Sequence, residues 1–160
     1  MRKTFIIDTS VLLYDKCSIH SFPDSDLVIP IVVLDELDRF KEKPGLLGEN
    51  ARYVNRYLDN LRLKGNLHNG IEIDNKQKIK VAISGFENVP IGLDKSSFDN
   101  QIISLAIQIT GSCKNKVVLV TKDINFRVKC DSLGVIAEDY HKDKIITDES
   151  EFYKGYSEIE

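Results

Sequence analysis

The chain has 160 residues, 42% hydrophobic and 29% charged, a length and balance that fit one soluble globular domain with a substantial core. A net charge of −3 gives no global attraction to nucleic acid or acidic membranes, so any such binding must come from local patches. Cys17, Cys113 and Cys130 are too scattered and too few for a disulfide framework or zinc knuckle, and His20, His68 and His141 show no ligand spacing. No stretch approaches the ~20 apolar residues of a membrane span, and the expected location is the cytoplasm.

In chain order, "TFIID" reads as a short buried strand that ends in Asp8, and "DLVIP" (26–30) as a second ended by Pro30. Residues 31–43 carry a helical pattern stopped by "KPG", and a longer helix spans 49–64 with Gly65 as its stop. The alternation in "IEIDNKQKIKVAI" (71–83) about "DNK" predicts a β-hairpin insertion. Residues 96–110 form an amphipathic helix ending at Gly111, with Ser96 and Asp99 as a capping box. "KVVLVT" (116–121) is the most strand-like run. A helix over "INFRVKCDSL" stops at Gly134, and "VIAED" (135–139) is a last strand. Strands alternating with helices, and dense in Val and Ile, predict the α/β class: a central parallel sheet with helices on both faces, three layers deep. Residues 146–160 read as a polar tail or linker.

Two acids sit where apolar side chains are expected. At about 100° per residue, Phe98, Ile102, Ile103, Leu105, Ala106, Ile107 and Ile109 share one broad helix face, and Asn100, Gln101, Ser104 and Gln108 the other. Asp99 points along the apolar arc, between Ala106 and Ile103. Capping and the helix dipole explain an acid in the first turn, but not its inward direction. In the same way Glu36 falls between Val32 and Phe40 on the apolar side of its helix, with a long stem reaching water as the bland alternative. Asp8 and Asp123 each follow a strand, and helix capping is the alternative for Asp123.

All four acids lie at strand ends or helix starts, which an α/β sheet brings together. Converging without basic partners, they would repel one another and their pKa values would rise. A divalent cation resolves this, and an all-oxygen set without Cys or His selects Mg2+ or Mn2+. Ser10, Thr121 and Asn125 would supply neutral oxygens or hold waters. Such a centre suits phosphodiester hydrolysis, where the metal activates an attacking water and offsets charge on the departing oxygen. A receiver-type phosphoacceptor also gathers acids at strand ends, but its acceptor closes a middle strand, whereas Asp99 starts a helix. There is no GxGxxG and no GxxxxGK[ST], so nucleotide binding by the usual phosphate loops is not expected.

"FIIDTSVLL", "VVLDELDRFK", "FDNQIISLAI" and "VTKDINFRVK" resemble, in order, the four acidic blocks of PIN domains, metal-dependent ribonucleases. "ENARYVNRYLDNL", "TKDINFRVK" and "AEDY" are similar to the PIN domain at the N-terminus of PhoH-like ATPases. The resemblance implies a PIN-like domain over 1–145, with 146–160 leading toward an ATPase domain not contained in this chain. It implies Asp8, Glu36, Asp99 and Asp123 as metal-binding catalytic acids and single-stranded RNA as the substrate. Ser10 and Thr121 match neutral polar positions of the family. Asn125 stands where many members carry a further acid, which removes one negative ligand. For Asp139 both a site role and a structural role stay open.

Arg52 and Arg56, one helical turn apart, and Lys41 and Lys43 before "PGLLG" are the candidate phosphate contacts. The competing reading pairs the arginines with Glu49 and Asp59 on a solvated face. Lys76, Lys78 and Lys80 read as edge-strand protection, and no aromatic stacking platform is visible in the sequence. The alternative function is a non-catalytic RNA-binding or assembly module with a structural ion. Self-association, frequent in PIN domains, is also expected.

Overall fold

The computed structural model describes residues 2–142, so the expected tail over 146–160 lies outside the described residues. The elements are β1 (Lys3–Ile7), α1 (Thr9–Tyr14), a 3-10 turn (Lys16–His20), β2 (Asp26–Pro30), α2 (Ile31–Phe40), α3 (Gly45–Leu61), β3 (Ile71–Glu72), β4 (Lys78–Ala82), α4 (Phe98–Ser112), β5 (Lys116–Val120), α5 (Ile124–Ser132) and β6 (Ala137–Glu138). They form one six-stranded sheet in the order β3-β4-β2-β1-β5-β6, parallel except for β3.

Two directions of travel set the layers. From β1 the chain steps outward to β2 and β4, then returns across the sheet to β5 and β6 on the other side. Right-handed crossovers place α1, α2 and α3 on one face and α4 and α5 on the other. The central strands are therefore covered twice: Ile6, Ile7, Leu27, Ile29, Val118 and Leu119 are fully buried. Each such side chain contributes about 1.5–3 kcal/mol of burial.

Several expectations change in the structure. The apolar run after Asp8 is a helix, α1, because Thr9, Val11, Leu12 and Leu13 turn inward under α3. The helix expected over 31–43 ends at Phe40, and the one expected from 49 begins at Gly45 and ends at Leu61. Pro44 caps that start instead of merely breaking the chain, and the preceding turn lies on the first turn of α3. A Cβ at Gly48 would stand 1.8 Å from the Lys43 carbonyl oxygen, so only glycine fits there.

The expected hairpin is present, with the two-residue β3 antiparallel to β4, and β4 is in addition a full parallel partner of β2. Lys78 and Lys80 point to solvent while Ile79 and Val81 face the core. α4 is capped by Ser97, not Ser96, and runs through Gly111. On its supposed polar face Asn100 and Ser104 are buried, because the 83–97 segment lies over them. Ser104 Oγ donates to the Gly85 carbonyl at 2.8 Å and accepts from the Asn88 N–H, and Asn100 Nδ2 donates to the Asp94 carbonyl. Ile107 is correspondingly exposed. No helix among the described residues is long and apolar enough to cross a membrane.

Candidate metal centre

The two directions of travel diverge between β1 and β5, and at such a switch point the strand ends leave a crevice. β1 delivers Asp8 there. Its N–H still completes the sheet by donating to the Val120 carbonyl, while its side chain turns into the crevice, 7% exposed. Asp8 Oδ2 accepts from Ser10 Oγ and Thr121 Oγ1, each at 2.8 Å. Those hydroxyls in turn accept from the Lys122 and Asp123 N–H groups. A serine in α1 and a fully buried threonine just past β5 thus fix the carboxylate from two sides.

Glu36 reaches the crevice from the second turn of α2, where Thr9 Oγ1 donates to it. Burial raises the Glu36 carboxyl above its ordinary range. The Thr9 bond opposes the rise, the Asp8 charge adds to it, and Arg39 and Asp99 act more weakly in opposite senses. Asp99 enters from the first turn of α4. Burial raises it too, followed by the charges of Asp8 and then Asp123, with Lys129 acting against them. The inward directions of Glu36 and Asp99 thus bring them within electrostatic reach of Asp8.

Asp123 stands at the end of this set and is exposed. Its Oδ1 accepts from the Phe126 N–H at 3.2 Å, so it does cap α5. Asn125 is exposed on the next turn and makes no side-chain hydrogen bond among the described residues. The donor chemistry fits a hard divalent ion: carboxylates and hydroxyls, with no imidazole or unburied thiol among them. The spacing is open, since no three Asp, Glu, His or Cys side chains among the described residues stand together within ligating reach.

The remaining candidates divide. Arg52 donates to the Lys41 carbonyl at 2.7 Å and ties α3 to the end of α2, and Lys41 Nζ pairs with Asp38 at 2.7 Å. Arg56 and Lys43 are exposed, and their side chains make no hydrogen bond or ion pair among the described residues. The partners expected for the arginines are taken elsewhere: Glu49 by Lys16 and Asp59 by Arg62. Asp139 lies apart from the acids and is neutralised by Lys122 at 3.0 Å and Arg127 at 3.5 Å.

Three residues beside the crevice escaped the sequence reading. Thr9 was only a hydroxyl next to Ser10 until α1 separated their directions. Arg39 lies across the mouth, its guanidinium carbon 5.1 Å from the Phe98 ring centroid and its Nη2 3.9 Å from Glu36 Oε2. Lys129 bonds Asn100 Oδ1 at 3.0 Å beside Asp99. No sequence signal marks Lys129, because only the meeting of α4 and α5 brings it there.

A sequence model of the PIN domain matches residues 5–141. Protein PhoH2 of Bacillus subtilis (strain 168) is 35% identical over 166 residues, covering 99% of this chain and 37% of that protein. Protein PhoH2 of Mycolicibacterium smegmatis is 32% identical over 148 residues, covering 90% of this chain and 33% of that protein. The chain thus spans about a third of the length of the curated relatives it matches. Among solved structures, a domain of a functionally unknown protein from Methanocaldococcus jannaschii DSM 2661 shares the fold. Its TM-score is 0.50 at 20% identity, over 87% of this chain and 91% of that one.

Proposed function

The chain belongs to the PIN domain family, and from that premise we propose that it is a Mg2+- or Mn2+-dependent endoribonuclease domain acting on single-stranded RNA. The supporting observation is the group of carboxylates at the β1/β5 switch point, in which burial and the Asp8 charge raise the carboxyls of both Glu36 and Asp99. Mutual repulsion of this kind favours a cation, and PIN domains are nucleases that typically use divalent metal ions.

Asp8, Glu36, Asp99 and Asp123 would hold the ion, which supplies Lewis acidity toward water and the phosphodiester. Ser10 and Thr121 keep the Asp8 oxygens aimed into the crevice, and Thr9 does the same for Glu36. The side chains offer no Ser–His or Cys–His pair there, so hydrolysis would proceed by direct attack of water without a covalent protein intermediate. Arg56 and Lys43 would meet RNA phosphates as sequence-blind contacts. In the full-length protein the C-terminal partner would be an ATPase domain, as in PhoH-like relatives, and the setting cytoplasmic.

The test is cleavage of an unstructured RNA with Mg2+ or Mn2+. Asp8→Asn should abolish it while leaving the circular dichroism spectrum and melting cooperativity intact, and cleavage that persists in the purified variant would overturn the reading. The Asp123 cap and the open spacing favour one other reading, a non-catalytic module with a structural ion. Calorimetric Mn2+ binding without turnover on any RNA or DNA would select it.

A further inference from the structure

At the opposite end of the sheet from the acids, α3 carries Tyr53 and Tyr57 one helical turn apart. Their rings are parallel within 9°, with centroids 6.3 Å apart, and the His20 ring leans against Tyr57 at 5.4 Å. His20 Nε2 meets the Tyr53 hydroxyl at 3.1 Å, and Lys16 Nζ stands 5.2 Å from the Tyr53 ring centroid. The aromatic platform that the sequence did not display is therefore present, assembled from two separated segments.

Beside it opens a groove of about 650 Å3, lined on one side by Tyr57, Asn60 and Lys64 and on the other by Glu72 and Asp74. That volume is within the range of small-ligand sites. The far wall is held in place: Asn75 Nδ2 donates to the His20 carbonyl at 2.9 Å, and the buried Gln77 donates to the Ile19 carbonyl at 2.7 Å. A wall fixed in advance spares a ligand the cost of ordering it.

Packing accounts for the aromatic contacts, which join the 3-10 turn to α3. It does not account for the charges. Among the described residues Lys64, Glu72 and Asp74 make no ion pair, although they border one hollow. A polyanion alone would be repelled by the two acids. A flat ring that donates hydrogen bonds along one edge and carries a phosphate at its far end would satisfy all three. Guanine is the common base with two adjacent N–H donors on its pairing edge, and a carboxylate accepts such a pair side by side.

We propose that this groove binds a guanine nucleotide. The base lies on the Tyr57 ring, its N–H edge donates to Glu72 or Asp74, and Lys64 meets its phosphate. The nucleotide is either free or one residue of a single strand, and only the second case rests on the ribonuclease reading.

The test uses the full chain in EDTA, so that no cleavage is required, with amide NMR shifts followed during titration with GMP and with AMP. GMP should move the Tyr57, Lys64 and Glu72 signals and bind at least about tenfold more tightly than AMP. The exposed pair Glu72→Gln/Asp74→Asn should weaken GMP by about 10- to 100-fold. Tyr57→Leu, which keeps the apolar packing, should weaken it by about 5- to 100-fold. Melting curves establish that each variant is folded.

Absence of groove shifts at millimolar GMP, equal binding of AMP, or variants that bind like the parent would each overturn the proposal. A single guanine within an oligoadenylate that raises affinity identifies the strand-borne case, and GMP binding without that gain identifies the free nucleotide. A chain that binds GMP but cuts no RNA defeats the ribonuclease reading alone. One that cuts RNA and ignores GMP defeats the groove alone.

Discussion

Replacing Asp99 by asparagine should stabilise the metal-free protein while removing its response to divalent ions. Asp99 faces the charges of Asp8, Asp123 and Glu36 against one lysine, Lys129. At an effective dielectric of about 40–80 for a half-solvated site, a like charge at a nominal ~8 Å costs roughly 0.5–1 kcal/mol. Three acids less one lysine leave about two such repulsions, or roughly 1–2 kcal/mol. Asparagine forfeits about 0.3–1 kcal/mol of helix-dipole attraction in the first turn of α4, while the Ser97 cap is untouched. The net gain is about 1 kcal/mol, which for a chain of this size raises Tm by about 2–4 °C.

The pH dependence has a definite sign. The Asp99 carboxyl is raised from its ordinary 3.8, so the penalty is absent while the group is protonated in both folded and unfolded chains. It grows as pH rises past the unfolded value and is complete above the folded one. Thermal melts in EDTA should therefore show the variant and parent alike in acid and diverging toward neutrality. With Mn2+ at a hundred times its Kd the parent should gain about 2.7 kcal/mol, and the variant should not follow. A variant that melts below the parent at neutral pH without metal would refute the reasoning, because Asp99 would then be a favourable cap and no strained ligand.

Thr121→Val keeps the shape of a fully buried side chain but removes the donor to Asp8 and the acceptor for the Asp123 N–H. Urea unfolding should register a loss of about 2–3 kcal/mol. Asp139→Ala should cost about 1–2 kcal/mol in the same urea unfolding, because it leaves Lys122 and Arg127 without their carboxylate. Burial alone would raise that carboxyl, but bonds from Lys122 and the Tyr140 N–H, with the charges of Lys122 and Arg127, hold it below its ordinary value. Its contribution is thus present above the unfolded pKa and lost as pH falls through the folded one, visible as acid-induced hydrogen exchange in β6. Burial, with the nearby Asp99 and Asp8 charges prevailing over Lys129, pushes the Cys130 thiol up to about 12. A disulfide reagent should label the exposed Cys17 in the native protein and reach Cys130 only on unfolding.

The strands β2 and β5 were legible because fully buried parallel strands are written as unbroken Val and Ile runs. Glu36 and Asp99 were legible for a related reason: an acid on an apolar helical arc has few bland explanations. α1 was not, since six residues are too few to display a period, and its stability comes from the α3 surface above it. Asn100 and Ser104 misled because helical periodicity cannot anticipate a loop laid over the polar face. Thr9, Arg39 and Lys129 depend on neighbours distant in sequence, which local pattern does not encode.

The register that seats Ile7 opposite Val120 has a consequence for the order in which the molecule is made. The strand at the middle of the sheet leaves the ribosome first, and one of its two neighbours follows only after more than a hundred further residues. Until then one side of β1 is an open template for whatever extended segment comes by, so nascent chains should depend on prompt completion or on protection of that edge. The acids obey the same schedule, and a chain halted before β5 would carry Asp8 with nothing across from it.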